Sequence, residues 1–286
     1  MIKGEYDDMN TILQTWNTLP RIGGWFHILG TLSAVLFIIG GVLLGVKMKT
    51  SNRFQSADIV YGIVGVVLII LEILKASVYY IMEGSYPAGM FPFQICTVPI
   101  FFCWLIPFIK IRWLKETLIG YVACIGSVAA SFYMCKPATA LNTPVILLGV
   151  QAFLWHDIII GTGVFAITYH NIEGKKGLTY LLKGFAIWIV FLFSSIAVNE
   201  LCNIVAPDIG FNFFYTNSNQ DKVIYPLLNL LFPGPQPFIA FVISFILYFL
   251  VGVFAFYGLA TIIFKLCSHI RNKRGELKEK KIYSHV

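Results

Sequence analysis

The chain has 286 residues, of which 58% are hydrophobic and only 12% charged, with a mean hydropathy of +0.78, a formal net charge of +7 and a pI near 9.0. Soluble domains carry roughly 45–50% apolar and about 25% charged residues, so one aqueous core cannot hold this balance and the chain reads as an all-α polytopic membrane protein. On such a chain, excess positive charge marks cytoplasmic loops rather than a nucleic-acid surface, and no nucleic-acid partner is expected.

Residues 1–25 form an arm whose Glu5, Asp7 and Asp8 replace the positive start of a signal peptide, so the arm is expected to stay on the protein. Crossing about 30 Å of hydrocarbon takes about 20 helical residues. Seven apolar runs meet that length within the domain 26–266: Phe26 to Lys47, Ile59 to Ile81, Phe91 to Lys110, Leu114 to Met134, Pro144 to Tyr169, Leu178 to Val205 and Pro237 to Leu266. Lys and Arg alternate in number between successive connections, with fifteen on one side and four on the other. That asymmetry predicts seven crossings with the N-terminus outside and the C-terminus cytoplasmic, in the cell membrane. The tail 267–286 is basic and reads as a cytoplasmic topology signal at the headgroups. The long connection from Ala206 to Gln236 is expected to cover the outer mouth.

Ionisable residues inside hydrocarbon cost a few kcal/mol or more, which makes each a candidate until a structural partner explains it. In the second run Glu72 and Lys75 stand at i and i+3 and are able to pair on one face. Such a pair either neutralises itself and holds helix packing, or lines a polar cavity and orients another group. Cys96 opens the third run between Pro92 and Pro99. Pro99 removes a backbone hydrogen bond, so irregular backbone of the kind that lines cavities is predicted there. A thiol near a helix N-terminus also gains thiolate character, whereas burial in lipid pushes the other way. The other cysteines are Cys103, Cys124, Cys135, Cys202 and Cys267, with no CxxC and no Cys/His zinc spacing, so neither a metal site nor a cofactor is expected.

His156 and Asp157 are adjacent in the fifth run and point about 100° apart, so they need different partners. His156 shares a face with the small residues Gly149, Ala152 and Gly163, a stripe that permits close packing or a cavity. The sixth run ends in a polar strip of Ser195, Asn199 and Asn203 beside Glu200, which either bonds between helices or lines a site. At about 1.5 Å per residue, Cys96 lies about 8 Å and His156 about 18 Å below the outer ends of their runs, a tension for any direct contact.

Glu72, Pro92 to Cys96, His156 and Asn199, with the loop Phe211-Asn212-Phe213-Phe214-Tyr215, Pro226 and Leu231 to Pro237, carry a resemblance. In their order and spacing, over roughly Ile59 to Leu266, the chain resembles the YwaF-type integral membrane protein family, which includes a eukaryotic transmembrane acyltransferase branch. The chain has Gln94 and Thr97 at positions flanking the cysteine where members carry histidine.

The resemblance implies a lipid acyltransferase or acyl hydrolase acting on membrane phospholipids. Cys96 would be the nucleophile and His156 its acid/base partner, with an acyl thioester intermediate. Gln94 or Asn199 would donate to the oxyanion, Glu72 would orient His156 or neutralise Lys75, and Glu200 and Asn212 would support the site. The alternative is a nonenzymatic seven-helix transporter or receptor-like protein in which Glu72, Lys75, His156 and Asn199 bind a ligand. A third reading has these polar residues only holding the bundle together.

Overall fold

The computed structural model describes residues 15–50, 57–87, 91–172, 174–218, 238–255, 257–258 and 262. The apolar runs become α1 (Trp25–Thr50), α2 (Asp58–Glu83), the short α3 (Pro99–Leu105), α4 (Arg112–Cys135), α5 (Ala138–Asn142), α6 (Ile146–His170), α7 (Gly174–Val205) and α8 (Phe238–Ala255). Among the described residues α1, α2, α4, α6, α7 and α8 are long and apolar enough to cross a membrane, so this is an all-helical multi-pass membrane protein. The 1–14 part of the arm, the 219–237 part of the long connection and the basic tail lie outside the described residues.

The third apolar run departs from expectation. Instead of one continuous helix from Phe91 to Lys110 it forms turns up to Val98, then α3, then a 3₁₀ turn at Ile106–Phe108. Its helical part, Pro99–Phe108, is too short to span hydrocarbon alone. It nevertheless runs antiparallel along α2. A Cβ on Gly65 would stand 2.6 Å from the Trp104 backbone nitrogen and one on Gly62 3.3 Å from Pro107. At the foot of this segment Lys115 pairs with Asp58 at 2.7 Å.

Burial identifies the centre of the bundle. In α6, 83% of the most apolar window is buried, and in α4 72%, against 22–28% in α1, α2, α7 and α8. The two inner helices therefore form the core, while the outer four present one face to lipid. α1 lies parallel to α6 at backbone contact, since a Cβ on Gly41 would fall 2.4 Å from the Gly161 carbonyl oxygen. Such closeness substitutes for a hydrophobic drive that lipid does not provide. α4 contains a π-helical segment, Tyr121–Gly126, in which the Ser127 hydroxyl donates to the Val122 carbonyl at 2.9 Å. Local widening of this kind is common where a helix serves a site.

Charge sorts to one end. Asp58–Lys115, Arg112–Glu116 at 2.9 Å and Lys183–Glu116 at 2.5 Å gather there, with Lys49 bonded to Asn171. At the other end His27 Nε2 donates to the Met134 carbonyl at 2.9 Å, and the Trp16 backbone N–H donates to Pro144 at 3.0 Å. That second end also carries the turns around Cys96 and the 206–218 segment.

Candidate active site

The position of Cys96 follows from Pro99. In a regular helix the Ile95 carbonyl would accept from the N–H of residue 99, which proline lacks. The Cys96 carbonyl would accept from Ile100, whose N–H instead bonds Thr97 at 3.0 Å. Two buried carbonyls are thus left over, and two other helices supply donors. The Tyr121 hydroxyl, at the start of the π segment, donates to Ile95 at 3.1 Å. The Trp155 indole, on α6, donates to Cys96 at 3.1 Å. The turn is closed on its other side by Thr97, whose hydroxyl accepts from the Gln94 N–H at 2.7 Å and donates to the Gln94 carbonyl at 3.0 Å.

A cavity of about 360 Å³ opens beside this turn, and both Cys96 and His156 line it. Among the described residues Cys96 is the thiol that does so; Cys103 and Cys124 are buried in the bundle, and Cys135 is exposed. The depth difference expected from helix counting is thus absorbed by the fold, because the turn carries Cys96 into the bundle while α6 begins at Ile146. Glu72, Lys75 and Gln94 also border the cavity, as do Tyr133, Tyr215 and Asn212.

His156 is held in one tautomer. Its Nδ1 lies 2.7 Å from the Ala152 carbonyl, which only accepts, so Nδ1 carries the proton and Nε2 the lone pair. Tyr133 stacks on the imidazole with ring centroids 3.5 Å apart and planes 4° from parallel. The Tyr133 hydroxyl is itself fixed, 2.6 Å from the Thr139 hydroxyl and accepting from the Ala140 N–H at 3.0 Å. Asp157 faces elsewhere, as the 100° offset requires, and accepts from Ser33 on α1.

Three buried polar atoms on the cavity lining have no partner among the described residues: His156 Nε2, Glu72 Oε2 and Gln94 Oε1. Buried polar groups are seldom left so, and three around one space mark a place that takes polar atoms from outside the chain. Glu72 uses its other oxygen twice, pairing with Lys75 at 2.8 Å and accepting from Tyr86 at 2.9 Å. Burial, and then the Glu72 charge, push the Tyr86 phenol up from its ordinary pKa, which keeps it a donor. Glu72 therefore neutralises Lys75 while both border the cavity, and the bonds it makes do not reach His156.

The 206–218 segment closes one wall. Gln94 Nε2 donates to the Asn212 carbonyl at 2.8 Å, and the Asn212 side chain accepts from the Asn217 N–H at 3.0 Å. Asn199 is fully buried and grips the same segment rather than the cavity. Its amide donates to the Phe213 carbonyl at 2.9 Å and to Thr216 at 3.1 Å, and its oxygen accepts from the Phe213 N–H at 2.9 Å. With both amide hydrogens engaged, Asn199 has none left for an oxyanion, and that expectation is corrected. Glu200 likewise accepts from Asn203 at 3.5 Å and the Ser218 N–H at 3.4 Å, away from the cavity lining. Both are loop anchors.

What they anchor is strained. Phe214 and Tyr215 both have positive φ, 54° and 57°, a conformation that costs non-glycine residues about 1–3 kcal/mol each. Phe214 is fully buried, with ring contacts to Phe93 at 5.8 Å and Phe191 at 6.3 Å. Sequence reasoning missed Tyr121, Tyr133, Trp155 and Tyr215 as site residues. In a chain that is 16% aromatic a ring carries no signal by its type. Only for Tyr121 and Trp155 was there a clue, namely that Pro99 must leave a carbonyl in want of a donor.

Residues 22–255 match the profile of the TMEM164 family. No curated protein and no solved structure matches the chain.

Proposed function

The chain belongs to the TMEM164 family, and on that premise we propose that it is a membrane-embedded lipid acyltransferase, or acyl hydrolase, working through a thioester on Cys96. The observation that carries this reading is the joint lining of one cavity by Cys96 and by His156, whose Nε2 lone pair has no partner among the described residues. A thiol and an unpartnered imidazole nitrogen on one cavity are the minimal nucleophile and base. This is also the chemistry implied by likeness to the acyltransferase branch of the YwaF-type proteins.

The steps are two acyl transfers. His156 Nε2 removes the Cys96 thiol proton, and the thiolate attacks the carbonyl carbon of a phospholipid ester. The tetrahedral intermediate collapses with cleavage of the ester C–O bond, and the departing alkoxide takes the proton back from His156. The acyl group is then held as a thioester. A lysophospholipid hydroxyl or water next gives its proton to His156 and attacks the thioester, releasing the thiolate, which is reprotonated. Gln94, whose Nε2 spends one hydrogen on Asn212, has a second for the oxyanion.

Seven crossings accompany this reading, the segment 91–110 making the third by turn and short helix, with the N-terminus outside and the protein in the cell membrane. The end that gathers Lys49, Arg112, Lys115 and Lys183 is then cytoplasmic. The deciding experiment incubates purified protein with acyl-labelled phospholipid. Wild-type protein is expected to form a hydroxylamine-sensitive adduct that Cys96→Ser abolishes and His156→Ala slows by about 100-fold or more. A wild-type protein that forms none overturns the assignment.

A further inference from the structure

The 206–218 segment, bonded to the Cys96 turn through Gln94, holds a side chain to which no role has yet been given. Tyr215 lines the cavity with Cys96 and His156. It stands there at the cost of an unfavourable backbone, since it and Phe214 occupy the left-handed region that side chains rarely adopt. Strain of this kind persists only where surrounding bonds over-determine it, and it gathers at functional sites. Here the Asn199 amide fixes both polar groups of the Phe213 peptide, Phe214 is sealed among aromatic rings, and Asn217 closes the turn onto Asn212. The result is one aromatic side chain directed at the site from a rigid loop.

Its hydroxyl has the chemistry the site requires. Among the described residues, the Thr97 hydroxyl on the lining is committed to the Gln94 backbone and those of Tyr133 and Thr139 to each other, while the Tyr79 hydroxyl, on α2, also lines the cavity without a hydrogen bond. No hydrogen bond among the described residues engages the Tyr215 hydroxyl. Burial, and then the proximity of Cys96 and Tyr133, push its pKa up from the ordinary phenol value, so it remains a protonated donor. Cys96 and Tyr215 line the same cavity, so an acyl group carried on the thiol sulfur would share this space with the phenol.

We infer that Tyr215 is a catalytic residue of the thioester chemistry, its phenol O–H donating a hydrogen bond to the oxyanion of the tetrahedral intermediate formed at Cys96. The inference rests on the acyl-transfer reading of Cys96 and His156. It makes Tyr215 and Gln94 a pair of donors delivered from two different segments, joined by the Gln94–Asn212 bond. A donor aimed at charge that appears only in the transition state accelerates the step without tightening ground-state binding.

The test is single-turnover formation of the hydroxylamine-sensitive acyl adduct on full-length protein in phospholipid nanodiscs, comparing wild type, Cys96→Ser and Tyr215→Phe. Tyr215→Phe keeps the ring and its packing, and is expected to slow adduct formation by about 100-fold while half-saturation by phospholipid and the melting temperature stay at their wild-type values. Replacing Tyr215 with 3-fluorotyrosine, which preserves shape and changes only the acidity of the donor, is expected to move the rate measurably. Wild-type rates in both variants, with a normal adduct in wild type and none in Cys96→Ser, overturn the role of Tyr215 and leave the acyl-transfer reading standing. Absence of any adduct in wild type overturns that reading and the role of Tyr215 with it.

Discussion

Tyr133 lies flat on His156, with ring centroids 3.5 Å apart, and this contact joins the end of α4 to the middle of α6. Together with the bond from Nδ1 to the Ala152 carbonyl, it leaves the imidazole one orientation, in which Nε2 is the free base. The stack and the Tyr133 hydroxyl separate by substitution. Tyr133→Phe keeps the stack and loses the bonds to Thr139 and Ala140, so the adduct rate should fall only a few-fold. Tyr133→Leu frees the ring to rotate, and misplacement of a reacting group by about 1 Å costs about 100-fold. Equal rates for the two variants would remove the stack from the mechanism.

Pro99 and Tyr121 form a second coupled pair. With Pro99 present, the Ile95 carbonyl depends on the Tyr121 hydroxyl, and Tyr121→Phe strands it at a cost of about 1–3 kcal/mol. Pro99→Ala restores an N–H at position 99 that serves the same carbonyl. In that background Tyr121→Phe should be nearly neutral, a coupling of about 1 kcal/mol or more in a double-mutant cycle of unfolding. Additive losses would show that the proline is not what creates the need for the tyrosine.

This pair also marks how far the sequence could be read. Composition identified helical runs at α1, α2, α4, α6, α7 and α8, because crossing hydrocarbon leaves a long, unmistakable pattern. The proline at 99 announced irregular backbone near Cys96, and that backbone is present. The same proline defeated the expectation of a full third helix, since apolar length alone does not distinguish a spanning helix from a turn packed inside the bundle. Glu72, Gln94, Cys96 and His156 were legible because polar atoms are scarce in such a chain. Asn199 and Glu200 stood out for the same reason but face the loop, a distinction of direction that spacing along one helix does not contain. Tyr133 and Tyr215 reach the site through tertiary packing and a strained turn, neither of which leaves a periodic trace.

Close packing of α1 on α6 offers a controlled comparison. A Cβ at Gly41 would fall 2.4 Å from the Gly161 carbonyl oxygen, whereas one at Gly40 meets nothing within 4 Å. Gly41→Ala must therefore push the helices apart, and is expected to lower thermal stability by the equivalent of about 1–3 kcal/mol. Gly40→Ala should be neutral or slightly stabilising, as alanine favours the helix by about 1 kcal/mol. Melting curves of the two variants in the same detergent check this, and a neutral Gly41→Ala would place α1 elsewhere.

Orientation is open to glycosylation mapping. An Asn-X-Thr acceptor inserted beside Asp208 should be glycosylated when the protein is made on eukaryotic membranes, and one inserted between Lys175 and Lys176 should not. The reverse pattern would invert the protein and put the mouth of the cavity on the cytoplasmic side.

Asn199 is expected to act through the loop. Asn199→Ala leaves the Phe213 N–H without its buried partner, at about 1–3 kcal/mol, and takes one donor from the Phe213 carbonyl, which keeps the Thr216 N–H at 3.1 Å and the Thr216 hydroxyl at 2.9 Å. The left-handed pair at Phe214 and Tyr215 costs a similar amount to maintain, so the loop should relax toward ordinary backbone and withdraw Tyr215 from the cavity. Three measurements should then move together. Limited proteolysis should cut within 206–218, amide exchange at Phe213 should accelerate, and adduct formation should fall to about the level of Tyr215→Phe. Alkylation of Cys96 by a small maleimide should stay near the wild-type rate, because Tyr121 and Trp155 hold that turn independently of the loop. Were adduct formation lost while the loop stayed protected, Asn199 would have to act on the site directly, which its fully engaged amide does not permit.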